Sequence, residues 1–189
     1  MKIEGAVLRA ALECAAKPTK KDPHRWTTCV RVAPLGDEKC LVEATDGRVM
    51  MRLVLEHECE AEAFIRHETL KRIKDSDEVE ITDGMLEVEE AALRHDFLPL
   101  DTLPDKDGKP MRVWPDFGHV IPRGTRTPAP AVAFGPNPLT KVLRSVKHLG
   151  ALALRFEIGG PTEAAKVTAR CLYGVATYIV MPVELVEDE

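Results

Sequence analysis

The sequence predicts an α+β fold in which helices cover one face of antiparallel β-sheets. Three segments carry apolar residues at the spacing of an amphipathic helix, and each is followed by short runs rich in Val, Ile and Leu. Turn signals such as Asp-Gly and Gly-Gly separate these runs, which favours hairpins over parallel crossovers. We therefore expect three helix-plus-strands units of about 60 residues each, repeated in architecture rather than in letters.

The first unit begins with an alanine-rich helix over residues 6–16, a composition suited to close packing on a sheet. Strands are predicted over 27–32, 39–44 and 49–55, where β-branched and aliphatic residues are concentrated. Asp46 and Gly47 stand between the last two strands and are a tight hairpin signal.

The second unit repeats this order. A short amphipathic helix is predicted from the apolar residues Phe64, Ile65, Leu70 and Ile73. Strands follow over 78–82 and 85–89, and a polar, proline-containing loop over 99–113 leads to the stretch from Trp114 to Pro122.

The third unit follows a proline-rich connector over 122–137, which predicts a domain boundary. Residues 1–122 are expected to form one domain of two units, and residues 123–189 a half domain of one unit. The last helix has its apolar stripe at Leu139, Val142, Leu143 and Val146. It ends at Gly150, and strands are predicted over 151–158, 165–170 and 176–185.

Charge is distributed unevenly along the chain. Residues 8–21, 64–74 and 137–149, which contain the predicted helices, each carry +3. Together they carry +9, and because the whole chain carries −5 the remainder carries −14. A basic stripe of Lys141, Arg144 and Lys147 is expected to face away from the sheet.

Several function classes are disfavoured by the residues present. A charged N-terminal stretch and the lack of an apolar run of about 18 residues argue against a secretory signal or membrane span, so a cytoplasmic location is expected. Five cysteines without metal-like spacing indicate buried, reduced thiols. The motifs of zinc proteases, P-loop proteins, serine hydrolases and dinucleotide enzymes are missing, so we expect neither an enzyme nor a cofactor.

Three short stretches, residues 44–48, 114–122 and 178–185, read ATDGR, WPDFGHVIP and YIVMPVEL. Their residues and order resemble those of the bacterial DNA sliding clamp, the beta subunit of DNA polymerase III. The resemblance implies a DNA-clamp-like fold. It is moderate over 38–122 and faint over 1–37, and one whole domain and half of another have no counterpart in this chain.

The resemblance also implies a hydrophobic groove that docks partner peptides of replication or repair proteins. The matching positions are Thr45, Gly47, Arg48, Val49, Met50, Pro115, His119, Val120, Ile179, Val180, Met181, Pro182, Val183 and Leu185. Methionine and aliphatic side chains are suited to anchor residues such as Leu and Phe. Arg48, Val49 and Met50 stand where the family usually has His-Arg-Leu, and His119 where it often has arginine, so peptide preference is expected to differ.

A second implication is sequence-independent contact with duplex DNA, because Lys and Arg neutralise phosphates without reading bases. The implied set is Arg9, Lys17, Arg66, Lys71, Arg72, Lys74, Lys141, Arg144 and Lys147. A ring around DNA would need self-association, since three units are a quarter of the twelve that the family's ring contains.

Two rival functions remain open at this point. One is a clamp-like adaptor or decoy that captures clamp-binding peptides without encircling DNA. The other is an enzyme that uses acidic residues such as Asp46 and Asp116.

Overall fold

The computed structural model describes residues 1–20, 26–36, 38–57, 59, 62–82, 85–88, 93–96, 109, 114, 117–122, 132–160 and 162–183. Its helices are α1 (Gly5–Cys14), α2 (His67–Leu70) and α3 (Pro136–His148), with 3₁₀ turns at Trp26–Thr28 and Phe117–His119. Its strands are β1 (Lys2–Glu4), β2 (Cys29–Pro34), β3 (Cys40–Thr45), β4 (Val49–Leu55), β5 (Ala63–Arg66), β6 (Glu78–Thr82), β7 (Met85–Val88), β8 (Leu93–Asp96), β9 (Arg155–Glu157), β10 (Ala165–Cys171) and β11 (Gly174–Val180).

All described strand pairs are antiparallel and form two sheets. The smaller sheet has the order β1-β6-β7-β8, and the larger has the order β5-β2-β3-β4-β11-β10-β9. The predicted α+β class is confirmed. Because β4 pairs with β11, the larger sheet runs across the predicted boundary at residue 122, and the division into 1–122 and 123–189 stays a prediction.

Helix α1 lies on the larger sheet and against α3, and eight of its ten residues are buried. Its first residue, Gly5, packs so closely that an added Cβ would lie 2.0 Å from the carbonyl oxygen of Lys74. The Gly5 N–H donates to the carbonyl of Asp77 at 2.7 Å. A side chain at this position would therefore push α1 away from the segment after α2.

Helix α3 buries Pro138, Val142, Ser145 and Val146. The hydroxyl of Ser145 lies 2.9 Å from that of Tyr178 on β11, and both side chains are fully buried. The predicted apolar stripe is wrong at Leu143, which is 58% exposed. The buried face is centred on Val142 and Ser145 because α3 packs against α1 as well as the sheet, and Leu143 lies to one side of that face.

Other predicted elements need correction. Phe64 and Ile65 belong to strand β5 rather than to a helix, and point to opposite faces: Phe64 joins an aromatic cluster and Ile65 the main core. Strands β1 and β8 were not predicted. The strand expected over 151–158 is confined to β9, and that over 176–185 runs from 174 to 180.

The predicted loop over 99–113 lies outside the described residues apart from Lys109. The predicted connector is described at 122 and 132–137, and its last two residues begin α3. Four cysteines are buried, Cys171 is half-buried, and all five are free thiols. No helix in the described ranges is long and apolar enough to cross a membrane.

Candidate functional site

The floor of a surface cleft is built from three neighbouring strands of the larger sheet. Thr45 on β3 is paired with Met50 on β4, and Met50 is paired with Ile179 on β11. Cross-strand partners point to the same face of a sheet, so these three side chains lie in one row. Their face is opposite to the one that α1 covers, since the alternate residues Met51 and Tyr178 belong to the main core.

The hairpin between β3 and β4 fixes the mouth of the cleft. The Asp46 carboxylate accepts the N–H groups of Arg48 and Val49 at 2.8 and 2.9 Å, and the Thr45 hydroxyl donates to the Val49 carbonyl at 2.8 Å. Gly47 has φ +89°, a conformation that side chains with a Cβ rarely adopt. The turn is thus held rigidly by its own side chains.

Lys141 of α3 anchors this hairpin from the other side of the sheet. Its Nζ lies 2.7 Å from Asp46 Oδ2 and donates to the Ala15 carbonyl at 3.0 Å, just beyond the end of α1. Lys141 was expected to face away from the sheet with Arg144 and Lys147, but its side chain is only 23% exposed and holds three elements together, and its contact with DNA stays a prediction. It still lines a groove described below.

Burial alone would raise the pKa of Asp46, but hydrogen bonds from Lys141, Val49 and Arg48 outweigh burial and lower it. The ionised Asp46 carboxylate therefore stabilises the fold above its ordinary pKa of 3.8, and this stabilisation is lost as the pH falls through the lower pKa of the folded state.

Asp46→Asn should lower the free energy of unfolding by about 1 kcal/mol near pH 7, and by less near pH 3. Urea unfolding of both proteins at the two pH values measures this, and an equal difference at both would contradict it.

The walls of the cleft come from segments far apart in the chain. Val120 and Met181 stand at the rim, 46% and 41% exposed, and the Met181 N–H donates to the Arg48 carbonyl at 3.0 Å. The whole cleft has a volume of about 110 Å³. Its lining consists of Trp26, Thr45, Gly47, Arg48, Val49, Met50, Phe117, Val120, Ile179 and Met181.

Two of these lining residues, Trp26 and Phe117, were not among the predicted site residues. Their ring centroids lie 6.2 Å apart, and Trp114 packs edge-on against Trp26 at 5.2 Å. Phe117 stands inside the second of the three sequence stretches, and Trp26 is one of only two tryptophans in the chain. Those two signals could have pointed to an aromatic wall.

The structure brings eight of the fourteen predicted peptide-site residues to the cleft and leaves six away from it or undescribed. Val180 is fully buried on the opposite face of β11, so its predicted place in the groove is wrong. His119 is exposed, Pro182 is half-buried and Val183 pairs with Ala133, and none of the three lines the cleft. Pro115 and Leu185 lie outside the described residues.

The predicted basic residues separate into two groups. Five of them line one groove of about 700 Å³ between α1, α3 and the hairpin: Arg9, Lys17, Lys71, Lys141 and Arg144. The other four are exposed outside this groove: Arg66, Arg72, Lys74 and Lys147. Within the described ranges, no three or more His, Cys, Asp or Glu side chains are grouped so that they could hold a metal ion.

Bacterial DNA sliding clamps are among the solved structures that resemble this chain. The DNA polymerase III beta chain of Streptococcus pneumoniae matches with a TM-score of 0.64 and 11% identity, covering 98% of this chain and 64% of that one. The beta subunit of Streptococcus pyogenes matches at 0.65 and 10%, covering 98% and 66%. The Caulobacter crescentus beta clamp, with PEG bound to its proposed beta-motif tethering region, matches at 0.63 and 11%, with the same coverage.

The expected clamp-like fold is confirmed by these matches. No protein-family model matches the sequence, and no curated protein matches it. The chain spans 64–66% of the length of the three clamps.

Proposed function

We propose that this chain is a clamp-like docking protein of DNA replication or repair that holds partner peptides in the cleft around Met50, Ile179 and Met181. The observation that carries this proposal is the convergence of residues 45–50, 117–120 and 179–181 on one apolar cleft. These are the stretches that resemble the sliding clamp. The matching fold supports the same conclusion.

The chemistry of the cleft favours an extended peptide with apolar anchors. Its floor is methionine and isoleucine and one wall is aromatic, which suits Leu and Phe side chains. Arg48 stands exposed at the mouth, where it would meet a carboxylate or carbonyl of the peptide. The described residues that line the cleft include no paired carboxylates and no nucleophile with a base, which favours binding over catalysis.

The second part of the proposal is sequence-independent contact with DNA through the helix-bearing side. The helices carry the cations of the groove, and phosphate neutralisation requires no base contacts. Such a protein would act in the cytoplasm, alongside polymerases or other replication proteins.

Assembly distinguishes two versions of this function. A ring around DNA would require self-association of the chain. A monomer that captures clamp-binding peptides without encircling DNA is the alternative. The molecular mass in solution, measured by light scattering, separates the two.

A peptide titration tests the docking function. A short peptide containing adjacent Leu and Phe should produce a saturable change in tryptophan fluorescence, because Trp26 lines the cleft. Replacing both anchors by alanine should weaken binding at least about tenfold, since each buried side chain contributes about 1.5–3 kcal/mol. Equal binding of the two peptides would exclude the cleft as their docking site.

A further inference from the structure

The groove of about 700 Å³ on the helix-bearing side is distinct from the apolar cleft. It lies between the end of α1, the start of α2, the β3–β4 hairpin and the first turns of α3. Six cationic side chains line it: Arg9, Lys17, Arg48, Lys71, Lys141 and Arg144. Among the described residues, the carboxylates Glu13 and Asp46 line the groove with them, and Glu68 lies 3.4 Å from the Lys71 ammonium beside it.

The two carboxylates are already engaged. Asp46 holds Lys141 at 2.7 Å, and Glu13 lies 4.0 Å from Arg144 and 3.8 Å from His148. In the part of the chain that the structure describes, Arg9, Lys17 and Arg48 make no ion pair. The described residues therefore leave positive charge in the groove that they do not neutralise, in a concave site where the field is concentrated.

His67, the first residue of α2, adds an observation independent of charge. His67 lines the groove although the residue is only 6% exposed, and its buried Nδ1 has no hydrogen-bond partner among the described residues. The nearest carboxylate oxygen, Glu68 Oε1, lies 3.8 Å from that nitrogen, beyond hydrogen-bond distance. Burial lowers the pKa of His67, with Lys71, Lys17 and Lys141 adding to the effect and Glu68 opposing it. Leaving a buried imidazole nitrogen without a hydrogen bond costs free energy of folding. The three lysines near His67 favour an anion as the missing hydrogen-bond partner.

The N-terminal end of α3 also favours binding of an anion in the groove. Asn137, Pro138 and Thr140 line the groove, so the N-terminal end of a 13-residue helix borders it. N-terminal peptide N–H groups carry partial positive charge that favours anions. The negative end of α1 is compensated by the Lys141 ammonium on the Ala15 carbonyl.

We propose that this groove is a binding site for a phosphate group, held by Lys71, Lys17 and Arg9 with His67 as its hydrogen-bonding partner. The phosphate belongs to a nucleic-acid backbone or to a free polyphosphate, which share this chemistry. Several cations set around a cavity of this volume suit a group with many acceptor oxygens and more than one charge. The site deepens the DNA contact of the proposed function, and rests on it only for the nucleic-acid source.

Lys71→Gln and Lys39→Gln form the matched pair that tests this site. Both lysines are exposed, but Lys71 lines the groove and Lys39 lies at the β2–β3 turn. Calorimetric titration with inorganic tripolyphosphate should give about tenfold weaker binding for Lys71→Gln, from one lost charge-assisted hydrogen bond, and no more than about twofold for Lys39→Gln. Equal losses in the two variants would overturn the site.

A spectroscopic readout on the unmodified protein keeps the test independent of mutant folding. The imidazole resonances of His67 should shift on adding tripolyphosphate, and the pKa of His67 should rise, because a bound anion stabilises imidazolium. His67→Phe should remove this titration and weaken binding. Imidazole signals that stay unchanged at saturating tripolyphosphate would overturn the role of His67.

A short double-stranded oligonucleotide, titrated into the same proteins, separates the two phosphate sources. Binding that Lys71→Gln weakens and Lys39→Gln does not supports the site with a phosphodiester ligand. Binding of tripolyphosphate alone supports the site and removes the DNA part of the proposed function. Binding of both the oligonucleotide and tripolyphosphate that Lys71→Gln and His67→Phe leave unchanged overturns the site.

Discussion

Replacing Glu43 by alanine is expected to lower the free energy of unfolding by about 3 kcal/mol, whereas the same replacement at Glu56 should change it by less than about 1 kcal/mol. Glu43 is 2% exposed in the centre of the larger sheet. Its carboxylate accepts a hydrogen bond from Arg31 at 2.8 Å and lies 3.7 Å from Arg52 Nε. Glu56 pairs with Lys39 at 3.1 Å but is 75% exposed.

The two variants should differ in free energy of unfolding because removing Glu43 takes a carboxylate partner from two partly buried arginines. Arg31 and Arg52 are the cross-strand neighbours of Glu43 on β2 and β4, so all three side chains lie in one row on the cleft face. Without Glu43, Arg31 retains Glu62 at 2.6 Å, but Arg52 has no other ion-pair partner in the described part of the chain. Both arginines are 22% exposed, so partial hydration places the cost at the low end for a broken buried pair.

Urea unfolding of the wild-type protein, Glu43→Ala and Glu56→Ala measures these differences, with equal m-values as the condition for comparing them. Similar small losses in both variants would mean that water reaches the Glu43 network. The row also borders the cleft, because Thr45 follows Glu43 on the same face of β3.

Local sequence patterns were sufficient to predict much of this fold. The bounds predicted for β4 and β6 match those observed, because each run is rich in β-branched and aliphatic residues and ends at a turn signal. Asp46 and Gly47 predicted their hairpin because the Asp side chain caps the turn and glycine accepts its positive φ. Three of the residues on the cleft floor and rim, Met50, Ile179 and Met181, were recovered through the clamp-like stretches.

The predictions that were wrong concerned features set by tertiary contacts, which a short stretch of sequence does not reveal. Phe64 and Ile65 suit a helix or a strand equally by apolarity, and pairing with β2 decides for the strand. Val180 was assigned to the groove with its neighbours, but strand alternation turns it to the core. Lys141 carries no local sign that a hairpin 95 residues earlier will bind its ammonium.

The pairing of β4 with β11 shows the same limit most directly. It places Met50 beside Ile179, which are 129 residues apart, and so creates the cleft floor. Trp26 reaches the cleft only because the segment before β2 packs against Trp114 and Phe117. Residue identity could suggest each part, but the register between distant strands had to come from the structure.

The second large effect is expected in the cleft itself: Met181→Asp should weaken binding of the Leu-Phe peptide by at least about thirtyfold, or about 2 kcal/mol. Met181 is 41% exposed at the rim, so aspartate remains hydrated in the free protein and stability should change little. A bound apolar anchor would cover that carboxylate without offering it a hydrogen bond. The cost therefore falls on the complex rather than on the fold.

Leu172→Asp is the matched control for this change. Leu172 is 87% exposed at the turn between β10 and β11, at the opposite end of β11 from Met181. It exchanges one exposed apolar side chain for the same charge, so peptide affinity should stay within about twofold of wild type. Calorimetric titration of the three proteins decides the matter: similar affinity in all three would mean that the peptide binds away from Met181. A loss confined to Met181→Asp, with unchanged urea unfolding, would place the anchor residues against the row formed by Thr45, Met50 and Ile179.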